Sequence, residues 1–339
     1  HQVGDIVEFG SYPQSKVTDS SLVSALNGVS KTWVSYGYYS GNNSMGSMTP
    51  GDWMKYADFI YNGTKYRAVN FSEYRQYCTY YYTAVDRRSY QYDNGYTPHS
   101  IYYFKYEPLK WRVLDPSTGL VLCESIIDSQ AYSNTIYVKS SFWSGDICYN
   151  DAEYTHYASD YATSSIRAWL NDDFYNTAFS SSQKASILTS ELDNKAYLPS
   201  YSKYDSKTTY DKVFLLSWSE IQNTAYGFSS NSARQAKGTD YAKCQGLQVY
   251  SSNGGSIQML RSAGYGSGYA CGVSSDGDVI DSWDVEHTDY GVRPALRISN
   301  LASGIFESKL EKLSKSEYAV FVTGSDGKPL SGAKVKWKN

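Results

Sequence analysis

The residues of this chain best suited to metal, redox or nucleophilic chemistry are Cys78, Cys123, Cys148, Cys244 and Cys271 with His1, His99, His156 and His287. Their spacing decides whether they can act together. No CxxC pair occurs among the cysteines and no HxH or HExxH pair among the histidines, so neither a zinc cluster, a thioredoxin-type couple nor a preassembled histidine site is supported. An odd number of irregularly spaced cysteines also predicts no disulfide framework, and Cys123, beside the apolar Leu120, Val121 and Leu122, reads as a small buried hydrophobe. Among the acids, Asp151, Glu153, Asp172 and Asp173 could supply a glycosidase-like carboxylate pair. The position of Asp172 and Asp173 at a helix end instead predicts solvated acids favoured by the macrodipole. No Gly-rich phosphate loop follows a strand, which sets aside Rossmann and P-loop chemistry; a Ser-His-Asp triad, recognised by geometry and not by order, stays open although no G-x-S-x-G elbow precedes a helix.

Binding chemistry has more support. Between Arg261 and Gly291 the chain gathers Tyr265, Tyr269, Trp283, Asp284, His287 and Tyr290, four of them Tyr or Trp, the types enriched at binding hot spots. Tyr265 and Tyr269 lie among glycines with little to bury them, so both rings are expected to be exposed. Asp276 and Asp278, with Asp281, Asp284 and Glu286 nearby, are the candidates for a calcium site, against a plain Asp276-Gly277 turn. No other cofactor is expected. Arg167, Arg261 and Arg293 each adjoin apolar residues and are expected to form structural ion pairs that tie loops to the core, in preference to an anion site.

The chain that must position these residues has 339 of them, 41% hydrophobic and 19% charged, enough apolar surface for a core. Its net charge of −3 comes without runs of like charge, which excludes a phosphate-tracking nucleic-acid surface. No window approaches the roughly 20 apolar residues of a membrane span. The sequence opens on His1-Gln2-Val3-Gly4, which is not a signal peptide, and the expectation is an extracellular or cell-surface protein whose signal has been removed. The 36 Tyr against 11 Phe fit that setting, since a rigid ring with a polar tip contacts ligands at low entropic cost.

Residues 5–9 alternate as a strand ending at the Gly10 turn. A Tyr-rich insertion of short strands and loops is expected over 19–104, opened by a short helix at 21–26. A hairpin joins 111–114 to 119–123 through Asp115-Pro116-Ser117-Thr118. Ser164 caps a helix carrying Ile166, Trp169, Leu170 and Phe174 on one face, and Ser180 with Gln183 forms a capping box for a second. Residues 213–216 are a buried strand, and Ser217 with Glu220 starts another helix. Runs at 257–261, 271–275 and 279–280 surround the Asp276-Gly277 turn, and a closing strand runs through Val292, Leu296 and Ile298 with Pro294 at an edge or bulge. Hairpins outnumber short helices and do not alternate with them, which makes the fold class α+β. Residues 301–317 read as a linker.

Six blocks in order, F-G-S-Y-P-Q at 9–14, E-P-L-K-W-R-V-L at 107–114, S-S-I-R-A-W-L-N at 164–171, D-K-V-F-L-L-S at 211–217, L-R-S-A-G at 260–264 and G-V-R-P-A-L at 291–296, resemble a domain family of unknown function from surface proteins of gut-dwelling Firmicutes. That family is similar in turn to the C-type-lectin-like fold of formylglycine-generating (sulfatase-modifying) enzymes and of retroelement-diversified binding proteins. The resemblance covers residues 1–300 and implies a C-type-lectin-like domain; Met259 stands where the family often has Trp. Residues 318–339 resemble the first strands of an Ig-like domain through G-K-P-L-S-G-A-K-V at 327–335, implying further surface-protein domains beyond. The enzymes of that fold use paired copper-binding cysteines, a pairing that Cys271 and Cys244 do not match, and the E-P-N and W-N-D signatures of sugar-binding lectins have only partial echoes at Glu107-Pro108-Leu109 and Trp283-Asp284. The function expected is therefore a non-catalytic binding or scaffold module for a glycan or protein. Its alternative is a degenerate or active oxidoreductase of the formylglycine-generating type.

Overall fold

A computed structural model describes residues 1–36, 53–75, 90–133 and 156–301, and the backbone of 137–139, 147–149, 305–312 and 318–324. Strands dominate, in open sheets with a few short helices. The first third supplies β1 (Ile6–Lys16), α1 (Ser20–Asn27), β2 (Val34–Ser35), β3 (Met54–Tyr61), β4 (Thr64–Phe71) and β5 (Ile101–Asp115). Next come β6 (Leu120–Cys123), β7 (Asp128–Ser129), a hairpin of β8 (Tyr137–Lys139) and β9 (Ile147–Tyr149), then α2 (Ser165–Trp169), α3 (Tyr175–Ala178) and α4 (Ser181–Ser186). β10 (Ser190–Leu192), β11 (Thr209–Asp211), β12 (Val213–Phe214), α5 (Asn231–Arg234) and α6 (Asp240–Cys244) lead to β13 (Gln258–Ala263), β14 (Tyr269–Val273), β15 (Val279–Asp284), β16 (Gly291–Val292) and β17 (Ala295–Arg297). β18 (Ile305–Lys312) and β19 (Tyr318–Gly324) follow.

The larger sheet runs β12-β17-β6-β5-β4-β3-β2, with β1 paired to β5; the second runs β15-β14-β13-β16-β7. The hairpin expected at 111–123 is present, with Trp111 opposite Cys123 and Val113 opposite Val121, and Gly119 takes the positive φ its turn needs. β1 is longer than expected. It continues past Gly10, whose φ of 76° makes a bulge, and only glycine fits there, since a Cβ would stand 2.6 Å from the Phe179 ring. The Tyr-rich stretch expected as an insertion is partly sheet: β3 and β4 continue the main sheet from β5, and β5 itself begins at Ile101, inside that stretch.

Ser164 caps α2, its hydroxyl accepting from the Arg167 N–H, and Ser180 with Gln183 forms the reciprocal box expected for α4. Between α2 and α3 a π turn, Leu170–Phe174, keeps the helix continuous, and Phe174 stacks on Trp169 five residues earlier at 5.6 Å. Asp172 is exposed as expected, but Asp173 is not a solvated acid: it is largely enclosed, its Oδ2 has no hydrogen-bond partner, and burial raises its pKa. Asp151 and Glu153 lie outside the described residues, as does Cys78.

Three further expectations change. Only Val213 and Phe214 of the run 213–216 are strand, although Leu215 and Leu216 are buried with them. Ser217 and Glu220 do cap each other, yet a single 3-10 turn, Glu220–Gln222, follows, because Asn223 immediately caps another short turn. The closing strand is two strands in two sheets. At Arg293-Pro294 the chain leaves β16 in the smaller sheet and enters β17 in the larger, with the Pro294 carbonyl accepting from Cys123 N–H and Arg293 Nε donating to the Cys123 carbonyl. Within 301–317, read as linker, β18 pairs antiparallel with β19. The core lies between the sheets and the helices, around Trp53, Trp111, Trp169, Phe104, Leu170 and Phe214.

Candidate ligand-binding site

Tyr265 and Tyr269 sit at the turn from β13 to β14. Gly264 N–H donates to the Tyr269 carbonyl at 2.8 Å and Tyr265 N–H to the Asp281 carbonyl at 3.2 Å, so the turn is pinned to both β14 and β15. The approach requires glycine, since a Cβ on Gly264 would lie 1.9 Å from the Asp281 oxygen. Across this turn the two phenol rings stack, centroids 4.7 Å apart and planes 17° from parallel. Tyr265 is 43% exposed; Tyr269 is half-buried, which departs from the expectation of two free rings because Tyr265 covers one of its faces. Burial, then its contact with Tyr265 and the charges of Asp284 and Glu286, raise the Tyr269 pKa.

The other four expected residues adjoin this turn. Tyr269 is opposite Asp284, and Ala270 opposite Trp283, in the β14–β15 pairing. Trp283 meets Tyr290 edge-on at 5.4 Å and His287 stacks on Tyr290 at 4.7 Å. His287 Nδ1 lies 3.3 Å from Asp289 and Nε2 3.6 Å from Asp284. Burial pushes the His287 pKa down, but Asp289, Glu286 and Asp284 outweigh it and the net shift is upward. Tyr290, only 5% exposed, is a core ring, and both His287 ring nitrogens are buried, so the surface available to a ligand is Tyr265, Tyr269 and the half-buried Trp283 and Asp284.

Asp276 and Asp278 are engaged with different amides: Asn253 Nδ2 donates to Asp276 Oδ1 at 2.8 Å and Asn231 Nδ2 to Asp278 Oδ1. Gly277 between them has φ 89° in the expected turn. Among the described residues no three His, Cys, Asp or Glu side chains converge as metal ligands would.

Beside the tyrosine turn lies a cavity of about 310 Å³ that sequence reasoning missed. Trp218 and Tyr197 form its aromatic corner, ring centroids 5.0 Å apart, and Tyr201 backs Tyr197 in a stack at 5.1 Å. Its floor is Arg261, 4% exposed, which donates to both Glu220 carboxylate oxygens and to the Leu215 carbonyl. Burial alone would raise the Glu220 pKa; the Arg261 charge and hydrogen bonds hold it below the usual range. The cavity adjoins the turn through Asp281, whose carbonyl holds Tyr265 and whose carboxylate meets the Tyr197 hydroxyl. Trp218 and Glu220 were visible in sequence only as a helix start, and nothing in the spacing announced that residues 191–197 would close over them.

A family model described as "Domain of unknown function (DUF6273)" matches residues 120–300, more than half of the chain. The chain belongs to this family. No curated protein and no solved structure matches it. The DUF6273 span begins at β6 and runs past β17, so it holds the whole smaller sheet, all six candidate residues and the cavity. Four of the six sequence blocks fall inside it, and the two at 9–14 and 107–114 precede it. β1 to β5 nevertheless complete the larger sheet from outside the DUF6273 span. Within the span Arg167 pairs with Asp211 at 2.7 Å, Arg261 with Glu220, and Arg293 bonds Cys123, so the three arginines serve the fold as expected. Cys123, Cys244 and Cys271 are free and buried; burial pushes the Cys123 thiol up to about 12 and raises those of Cys244 and Cys271. No helix among the described residues is long and apolar enough to cross a membrane.

Proposed function

We propose that this DUF6273 chain is a non-catalytic binding or scaffold module, C-type-lectin-like in fold, carried outside the cell by a bacterial surface protein. Its ligand is a glycan or a protein, taken on the face around Tyr265 and Tyr269, and no cofactor is required. The observation that carries this reading is the stacked tyrosine pair, Tyr265 exposed and Tyr269 half-buried behind it, on a turn pinned to two strands. A rigid aromatic platform loses little entropy on binding, and loops on a fixed scaffold are where binding residues concentrate. The buried thiol of Cys271, which has no neighbouring cysteine in the described fold, weighs against the copper-dependent alternative, because thiolate chemistry needs an accessible, acidified sulfur.

Glycan, mucin and host-protein arrays test the reading. The wild type is expected to bind a defined set of spots, and Y265A/Y269A to lose them by roughly 1 to 4 kcal/mol while its melting temperature stays nearly unchanged. Spots bound equally by both proteins would move the site elsewhere. Conversion of a cysteine-bearing sulfatase peptide in the presence of copper, read by mass, would replace binding with catalysis.

A further inference from the structure

The cavity beside the tyrosine turn has a chemistry of its own. It is open between residues 191–197, which run from within β10 into the loop after it, and Ser217–Glu220, which follow β12, with Arg261 and Ser262 of β13 beneath. Its volume of about 310 Å³ lies at the lower end of the roughly 300–1,000 Å³ typical of ligand pockets, room for one ring and not for a chain. One side is apolar: the Trp218 and Tyr197 rings cross at 64°. The rest is polar, from the hydroxyls of Ser217, Ser219 and Ser262, the carboxylates of Glu191 and Asp193 and the Lys195 ammonium.

Charge narrows the guest. Arg261 is neutralised by Glu220, and Lys195 stands 3.8 Å from Asp193 at the rim, which leaves Glu191 as the uncompensated group. An anionic guest would meet a surplus carboxylate and a guanidinium already taken. A wholly apolar guest would strip water from carboxylates without replacing their hydrogen bonds, which weakens binding for each group left unpaired. A guest with one C–H face for the aromatic corner, hydroxyls around its edge and no charge satisfies both walls. We infer that this cavity is a subsite for a single neutral pyranose ring, held with its apolar face on Trp218 and its hydroxyls toward the carboxylate and serine wall. The inference rests on the reading of the chain as a binding module and names the ligand class for one part of it.

The test uses the whole chain with its tryptophans labelled, the Trp218 indole N–H resonance being assigned through W218F. Probes are the methyl glycosides of glucose, galactose, mannose, fucose, N-acetylglucosamine and N-acetylgalactosamine, with glucuronic and sialic acids as anionic controls. At least one neutral glycoside is expected to shift the Trp218 resonance saturably, the anionic sugars to leave it in place, and W218A to weaken the affinity about tenfold or more. No shift with any neutral glycoside, or an equal shift with the anionic ones, overturns the inference. The wild-type resonance keeps the test valid even if W218A folds poorly. If array binding depends on Tyr265 and Tyr269 while Trp218 never moves, the tyrosine face stands and the sugar subsite falls. If a glycoside moves Trp218 equally in Y265A/Y269A and the array pattern is unchanged, the subsite stands and the tyrosine face falls.

Discussion

The Tyr12 hydroxyl donates to the Asp128 carboxylate at 2.7 Å, a contact between β1 and β7 that ties the two sheets together in the interior. Asp128 also accepts from Ser129 N–H and Gln130 Nε2, while Arg75 donates to the Ser129 carbonyl and the Gln130 side chain beside it. Burial raises the Asp128 pKa to about 6 despite these bonds. In the unfolded chain the same carboxyl titrates near 4, so between those values the folded state holds the proton more tightly. Stability from this group is therefore full below about pH 4 and declines as pH rises to about 6, by about 3 kcal/mol in total. Urea unfolding of the wild type and D128N across that range checks it: the wild type should lose that margin relative to the variant, which has no proton to release. A difference that stays flat with pH would show that Asp128 titrates normally.

Gly264 sets the tyrosine platform. G264A is expected to push the turn off the Asp281 carbonyl, separate Tyr265 from Tyr269 and destabilise the protein by about 1–3 kcal/mol, as overpacking does. Loss of array binding together with a lowered melting temperature is the expected result; a variant with wild-type stability and binding would mean the turn is looser than its hydrogen bonds indicate.

Arg261 and Glu220 are a pair in which one partner is nearly inaccessible. R261A leaves the Glu220 carboxylate without its cation and the Leu215 carbonyl without a donor, and should cost about 3–5 kcal/mol in denaturant unfolding. E220Q/R261M, which removes both charges, should recover part of that loss. Equal destabilisation by single and double variants would argue that packing, not charge, is at stake.

The three described thiols predict a kinetic result. Cys123, Cys244 and Cys271 should be inert to a thiol reagent in the native protein and react together once it is denatured, since burial both hides each sulfur and disfavours its thiolate. Rapid labelling of any of the three in the native state, mapped by mass, would contradict this.

Local chemistry was legible where the partners are close in sequence. The caps at Ser164 and Ser180, the bulged hairpin around Gly119 and the Asp276-Gly277 turn depend on residues within a few positions, and each is present. The pairing of the three arginines was legible too, because a cation amid apolar residues needs a partner. What failed depended on distance. The break of the closing strand at Pro294 follows from two sheets meeting there, the enclosure of Asp173 from its place beside the remote Arg67 and Asp58, and the cavity from a loop before β11 that folds over the segment after β12. Of the candidate site, the aromatic types at 265–290 were readable. Which rings face water was not, since that depends on what packs over Tyr290 and beneath Tyr269.

The placement of β16 and β17 bears on how the chain can be made. Residues 291–297 lie near the end of the described core, yet β16 sits between β13 and β7, and β17 between β12 and β6. Neither sheet can close while these seven residues are still inside the ribosome. Until they emerge, the edges of β6, β12, β13 and β7 that they fill stay unpaired, the condition in which chains associate wrongly. Many of the pairings are also remote in sequence, as with β1 and β5, which slows their formation. Synthesis and completion are thereby uncoupled: β1 with β6-β5-β4-β3-β2, and β15-β14-β13, can pair as they emerge, while one late, short segment joins β12 and β7 to them.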